Sequence, residues 1–164
     1  MHWISAAAAW TVAFLVGSLV EYWGHRLMHA GILLPRGHLE HHASGEGKGV
    51  LPEFLHYLLY TWVFLPWGFL VSAPAGWGFL AGILSYCFFS AYGHQLQHDS
   101  PAACFWMRRM PVHYVHHLHN QDNVNLGLAL DWWDRVFGTY RPVEFDRNAM
   151  IARSRGGLLD VRWF

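Results

Sequence analysis

Residues 54–98 read FLHYLLYTWVFLPWGFLVSAPAGWGFLAGILSYCFFSAYGHQLQH, and no Asp, Glu, Lys or Arg occurs among these 45 positions. A soluble core rarely goes so long without a charge, whereas a bilayer-crossing helix needs about 20 mostly apolar residues. Pro66, Pro74 and Gly76 punctuate the run. It divides into a helical hairpin: an arm over 52–72, a tight turn through Ser72-Ala73-Pro74-Ala75-Gly76, and an arm over 77–98. Pro66 has no amide hydrogen to donate, so it kinks or shortens the first arm, which can be read as a full crossing or as a re-entrant segment.

Upstream, Trp3 to Val20 is a second uncharged apolar run that continues helically into Glu21 and His25. It has no basic n-region, which favours a retained membrane helix over 3–24 rather than a cleaved signal. Trp3, Trp23, Trp62, Trp67 and Trp77 fall near the helix ends, as interfacial belts require. The expected architecture is all-α: an integral membrane protein with about three transmembrane helices (3–24, 52–72 and 77–98) under a helical, His-rich cap. One domain fills residues 1–164, with a core over 21–142 and a tail over 143–164.

Arg26, Arg36 and Lys48 lie between the first helix and the hairpin. Arg108, Arg109, Arg135, Arg141, Arg147, Arg153, Arg155 and Arg162 follow the hairpin, and neither the chain start nor the hairpin tip carries a basic residue. The positive-inside rule then puts the cap in the cytoplasm. The expected location is a bacterial cytoplasmic membrane rather than the endoplasmic reticulum. Lys plus Arg equals Asp plus Glu at 11 each, so nothing attracts a polyanion and nucleic acid is excluded as a partner. Two cysteines are too few for a disulfide framework, and Cys87 is read as a small packing residue.

Thirteen histidines stand against roughly four at ordinary usage. Ten of them form two sets of a pair followed by a triplet. The first is His25 and His29, then His38, His41 and His42; the second is His94 and His98, then His113, His116 and His117. Residues four apart share a helix face, so each pair can direct two imidazoles at one metal. Adjacent residues diverge by roughly 100°, so one triplet can serve two metals. Ten imidazoles are too many for one ion and suit two. A nitrogen-rich set without thiolate suits Fe, Zn, Cu or Ni. His2 and His56 read as ordinary surface or hydrogen-bonded residues.

The order H-x-x-x-H, H-x-x-H-H, H-x-x-x-H, H-x-x-H-H, followed by Asn125-Leu-Gly127 and Trp133-Asp134-Arg135-Val-Phe137-Gly138-Thr139-Tyr140, resembles the fatty acid hydroxylase/sterol desaturase superfamily over His25 to Pro142. That family consists of integral membrane non-haem di-iron oxygenases. The resemblance implies that the ten histidines are the metal ligands, that two iron ions (Fe2+/Fe3+) are the cofactor with O2 as co-substrate, and that zinc could replace iron in a purified sample. It also implies hydroxylation of a lipid C–H bond in a fatty acyl, sterol-like or carotenoid/isoprenoid substrate. The chain departs from the family pattern in lacking a fused cytochrome b5 domain and in showing one span fewer than four. Electrons are therefore expected from an external cytochrome b5- or ferredoxin-type donor with its reductase.

Supporting residues are expected around the ligands. Asp134, Asp131, Asp122, Asn123 and Asn125 are candidates to accept a hydrogen bond from a ligand's second nitrogen. His119 is a candidate for the same supporting layer, and Glu40 a carboxylate neighbour of the metals. Asp134 has a structural reading as well, as the partner of a nearby Arg. Two other functions stay open at this point. A desaturase or other lipid oxidase would use the same site, and a non-catalytic membrane metal or haem protein would need fewer facing histidines.

Overall fold

The computed structural model describes residues 2–107 and 109–164; Arg108, one of the basic residues that orient the chain, lies outside them. The described residues form seven α-helices and no strand. They are α1 (His2–His29), α2 (Pro35–Ser44), α3 (Val50–Thr61), α4 (Ala73–Asp99), α5 (Val112–Leu118), α6 (Trp132–Val136) and α7 (Arg147–Arg153), with short 3-10 turns between them. Two of these, α1 with 28 residues and α4 with 27, are long and apolar enough to cross a membrane. At 1.5 Å per residue each is about 40 Å long, more than the roughly 30 Å of a bilayer core.

The α1 helix carries the expected pair His25 and His29 in its last turns, because no breaker interrupts it before Ala30. Only 11% of its most apolar stretch is buried, and Trp10, Val12, Leu15, Val16 and Val20 are exposed. The α4 helix starts four residues before the expected position. Ser72 caps it by accepting a hydrogen bond from the Ala75 amide, and Pro74 sits in the first turn, where its missing N–H costs nothing. The proline read as a turn residue is a helix-starting residue.

The arm expected over 52–72 is not one helix. The α3 helix stops at Thr61, about 18 Å after it begins, and 3-10 turns over Trp62–Phe64 and Trp67–Leu70 follow. Pro66 between them has no N–H to continue an α-helical ladder. The freed backbone groups pair locally, with the Leu65 amide on Trp62 O, Phe69 on Pro66 O, and Val71 on Gly68 O. The segment still runs antiparallel along α4: Glu53 meets His94, Thr61 meets Cys87, and Phe69 packs on Trp77.

The first turns of α4 lie close against the first turns of α1 because Gly78 and Gly82 face it. A Cβ on Gly78 would stand 2.1 Å from the Ala6 carbonyl oxygen, and one on Gly82 would stand 2.5 Å from that of Trp10. Gly82→Val is expected to push the helices apart at a cost of about 1–3 kcal/mol. Thermal unfolding in detergent should show a lower midpoint together with loss of bound metal, since both histidine pairs sit on these helices; an unchanged midpoint would contradict the packing argument.

Beyond α4 the chain folds back under the histidines. Val50, Ala91, Leu96, Met107, Met110, Val112, Val115, Met150 and Val161 form one buried apolar cluster, and the free cysteines Cys87 and Cys104 are buried. The last residues join it. The amides of Val50 and Leu51 donate to the carbonyls of Arg162 and Trp163, and the Arg162 amide donates to Asp99.

Candidate metal centre

The ten histidines converge at one end of the α1–α4 pair. They divide into two groups, but not along the sequence sets. His25, His29, His38 and His42 form one group, with His116 Nε2 at 2.9 Å from His29 Nε2. His41, His94, His98, His113 and His117 form the other, their ligand atoms all within 4.8 Å of one another. Each triplet is shared. On α2, His38 and His42 are four apart and face the α1 group, while His41 faces the α4 group. On α5, His113 and His117 face the α4 group, while His116 crosses to the α1 group. The 100° step between adjacent helical residues produces this split. The two groups touch through His42 and His117, whose rings stack at 4.1 Å.

The hydrogen bonds set the tautomers. Nδ1 of His25 donates to Leu126 O at 2.6 Å, His116 to Val124 O, His41 to Glu46 O, His98 to Gly45 O, and His94 to Glu53 Oε2 at 2.7 Å. A neutral imidazole has one N–H, so in these five rings Nε2 is a bare lone pair. Yet these Nε2 atoms face one another. His94 Nε2 lies 3.3 Å from His41 Nε2 and 3.2 Å from His98 Nε2. Facing lone pairs repel unless a cation lies among them. The Nε2 atoms of His42 and His117 are buried with no hydrogen-bond partner at all. Two nitrogens each about 2.1 Å from one ion, at a right angle, are about 3.0 Å apart. The residues present therefore fit two nitrogen-ligated metal ions of the Fe, Zn, Cu or Ni kind.

Burial and the neighbouring imidazoles hold these side chains neutral. They push His38, His41 and His116 down to about 3 and His42 to about 4, and they hold His113 and His117 well below the usual imidazole value. In the unfolded chain the same groups protonate near 6.5. Below that value the unfolded state binds more protons, so stability falls as pH drops from about 6.5 towards 3. Protons compete with metal in the same direction. Thermal scans should show a flat midpoint above pH 7 and a steadily falling one below 6.5; a midpoint that rises on acidification would contradict it.

The supporting residues differ from those expected. Asp134 does not touch a histidine. Fully buried, it accepts from the amides of Leu126 and Gly127 at 2.8 and 2.7 Å and from the Thr139 hydroxyl, and so aims the Leu126 carbonyl at His25. Asn125, at φ 55, ties the same loop to both backbone groups of Arg141. Asp131 pairs with Arg135, and Asp122 is an exposed carboxylate 3.7 Å from His29 Nδ1. Glu40 and His119 are exposed rather than set among the rings.

Two carboxylates that carry the arrangement were not foreseen. Glu53, in the first turn of α3, accepts from His94 and from the Tyr57 hydroxyl. Its signal was its position as the last charge before the uncharged run. Glu21 accepts from Tyr86, Ser90 and the amides of Leu128 and Ala129, joining α1, α4 and the loop behind His25. It was the first charge in an apolar helix.

A cavity of about 240 Å³ opens on both groups, lined by His42, His98, His117, Tyr114, Leu118 and Arg153. A more polar one of about 200 Å³ adjoins it at Asp99, Arg155 and Arg162. Both are lined partly by charged residues.

Residues 10–139 match the family model for fatty acid hydroxylase. An alkylglycerol monooxygenase from Xenopus tropicalis is 27% identical over 139 residues, covering 81% of this chain and 30% of that protein, so the chain spans about a third of its relative's length. No solved structure matches the chain.

Proposed function

The chain belongs to the fatty acid hydroxylase family, and from that premise we propose that it is an O2-dependent lipid hydroxylase whose ten histidines hold two iron ions. The observation that carries this reading is the convergence of bare and orphaned imidazole Nε2 atoms into two groups within one buried cluster.

Iron held there supplies the oxidising power to insert one oxygen atom of O2 into a C–H bond, with two electrons and two protons reducing the other atom to water. The protein's own groups do the rest. The carbonyls of Val124, Leu126, Gly45 and Glu46 and the Glu53 carboxylate keep the N–H on Nδ1, so that Nε2 stays free to ligate. Burial keeps the rings neutral and limits water at the centre. The 240 Å³ cavity brings small reactants to His42 and His117.

In this reading α1 and α4 cross the bilayer, residues 50–72 make an interrupted crossing beside α4, and the histidine end faces the cytoplasm, where most of the arginines lie. Irregular backbone at membrane depth is tolerated because its amides are paired. The substrate is a membrane lipid with a long alkyl chain, and alkylglycerols are tested beside fatty acyl lipids because of the relative's name. Electrons come from a separate cytochrome b5- or ferredoxin-type carrier.

The test is to load the purified protein with iron, supply a reductant, O2 and extracted membrane lipids, and read the products by mass spectrometry. A lipid gaining one oxygen atom supports the reading. A lipid that loses two hydrogens instead would make the protein a desaturase, and absence of O2 consumption by fully loaded protein would sink both.

A further inference from the structure

We propose that Glu53 makes the two metal positions unequal, so that the position formed by His41, His94, His98, His113 and His117 binds its ion first and more tightly. The inference rests on the two-metal reading above and concerns which residue distinguishes the two ions.

The hydrogen bonds behind the rings differ in charge. His25, His116, His41 and His98 each donate from Nδ1 to a backbone carbonyl, a neutral acceptor. His94 donates to a carboxylate, and both side chains are about nine-tenths buried, 8% and 11% exposed. Water therefore screens this pair little. The other oxygen of Glu53 accepts from the Tyr57 hydroxyl, so both ends of the carboxylate are held. In the α1 group the nearest carboxylate is Asp122, 3.7 Å from His29 Nδ1 and 81% exposed, too far for a hydrogen bond and open to solvent. Among the described residues, Glu53–His94 is thus the one buried carboxylate–imidazole pair in the cluster.

A carboxylate on Nδ1–H draws the proton toward itself and makes Nε2 a stronger electron donor to a cation. It also places a full negative charge one residue away from the ion, in a region of low dielectric. Neither effect reaches the α1 group through a comparable path. Glu53 is thus a positioning residue that acts through His94. Its location near the start of the otherwise uncharged 50–72 segment places the carboxylate against the histidine-bearing end of α4.

The experiment is a titration of the metal-free full chain in detergent with Fe(II) under anaerobic conditions, followed by calorimetry and by competition with a chelator. Wild type is expected to take up two equivalents in two steps. In Glu53→Gln the carboxamide oxygen still accepts from His94 and the charge is gone, so the tighter step should weaken by about 10–100-fold while the weaker step stays in place. Glu53→Asp retains the charge and should restore part of the tight step, which a purely space-filling role would not do. Mössbauer spectra of protein loaded with a single equivalent of iron should show one site in wild type and a mixture in Glu53→Gln. Two equivalents bound with the same pair of affinities in wild type and Glu53→Gln would overturn the inference and leave the metal centre standing. No metal uptake by wild type would overturn the metal centre itself. Circular dichroism of each variant separates loss of fold from loss of the tight step.

Discussion

His117→Ala is expected to leave the protein with one bound metal instead of two and without hydroxylated product. The ring of His117 reaches the α4 group from α5, and its Nε2 is a buried nitrogen with no partner in the protein. A polar atom in that state is destabilising unless something binds it. An ion ligated by that nitrogen removes the penalty, and alanine removes both the ligand and the stacking contact with His42. Removing an outer partner of a ligand costs about 10–100-fold in metal affinity, so removing the ligand should cost at least ~100-fold. His42→Ala should do the same to the α1 group, because His42 Nε2 is orphaned in the same way. Metal per protein, measured by plasma mass spectrometry, and product, measured on the same samples, check both. Two metals and full product in both variants would remove these residues from the ligand set.

Asp134→Ala is expected to have the next largest effect, on both stability and metal content. It leaves the amides of Leu126 and Gly127 buried and unpaired, at about 1–3 kcal/mol each, and takes an acceptor from Thr139. The loop cannot shift to find other partners. A Cβ on Gly127 would already lie 2.0 Å from Leu130 O, which shows how closely the backbone passes itself there. Once the clamp is gone, the Leu126 carbonyl no longer fixes His25, so the α1 group should weaken before the α4 group does. Thermal unfolding should show a midpoint lower by on the order of 10 °C. Asp134→Asn, which retains one acceptor oxygen, should fall between wild type and alanine. A normal midpoint in Asp134→Ala would show that the loop is held by other means.

The local half of this centre could be read from residue order. His25 and His29, or His94 and His98, lie on one face of one helix because a turn holds 3.6 residues, and no packing can change that. The charge-free runs likewise required long apolar helices, and α1 and α4 are those helices. The break after Thr61 was only half legible. Pro66 announced an interruption, but its extent depended on how the 3-10 turns found partners against α4.

The sequence by itself therefore determined the ten histidines, their spacing on helices and the two long apolar helices, since these follow from covalent order and helical period. The helical step let each triplet divide, but tertiary structure alone decided which group each imidazole joins and that His94 is backed by Glu53, 41 residues away. It also decided that Asp134 acts on His25 through a backbone carbonyl rather than directly. The physical reason is that a second hydrogen-bond partner, or a fifth nitrogen, is chosen by which surfaces are pressed together. Here the packing of α3 against α4, and of α5 and the loop after it against the end of α1, made that choice, and no local pattern encodes it.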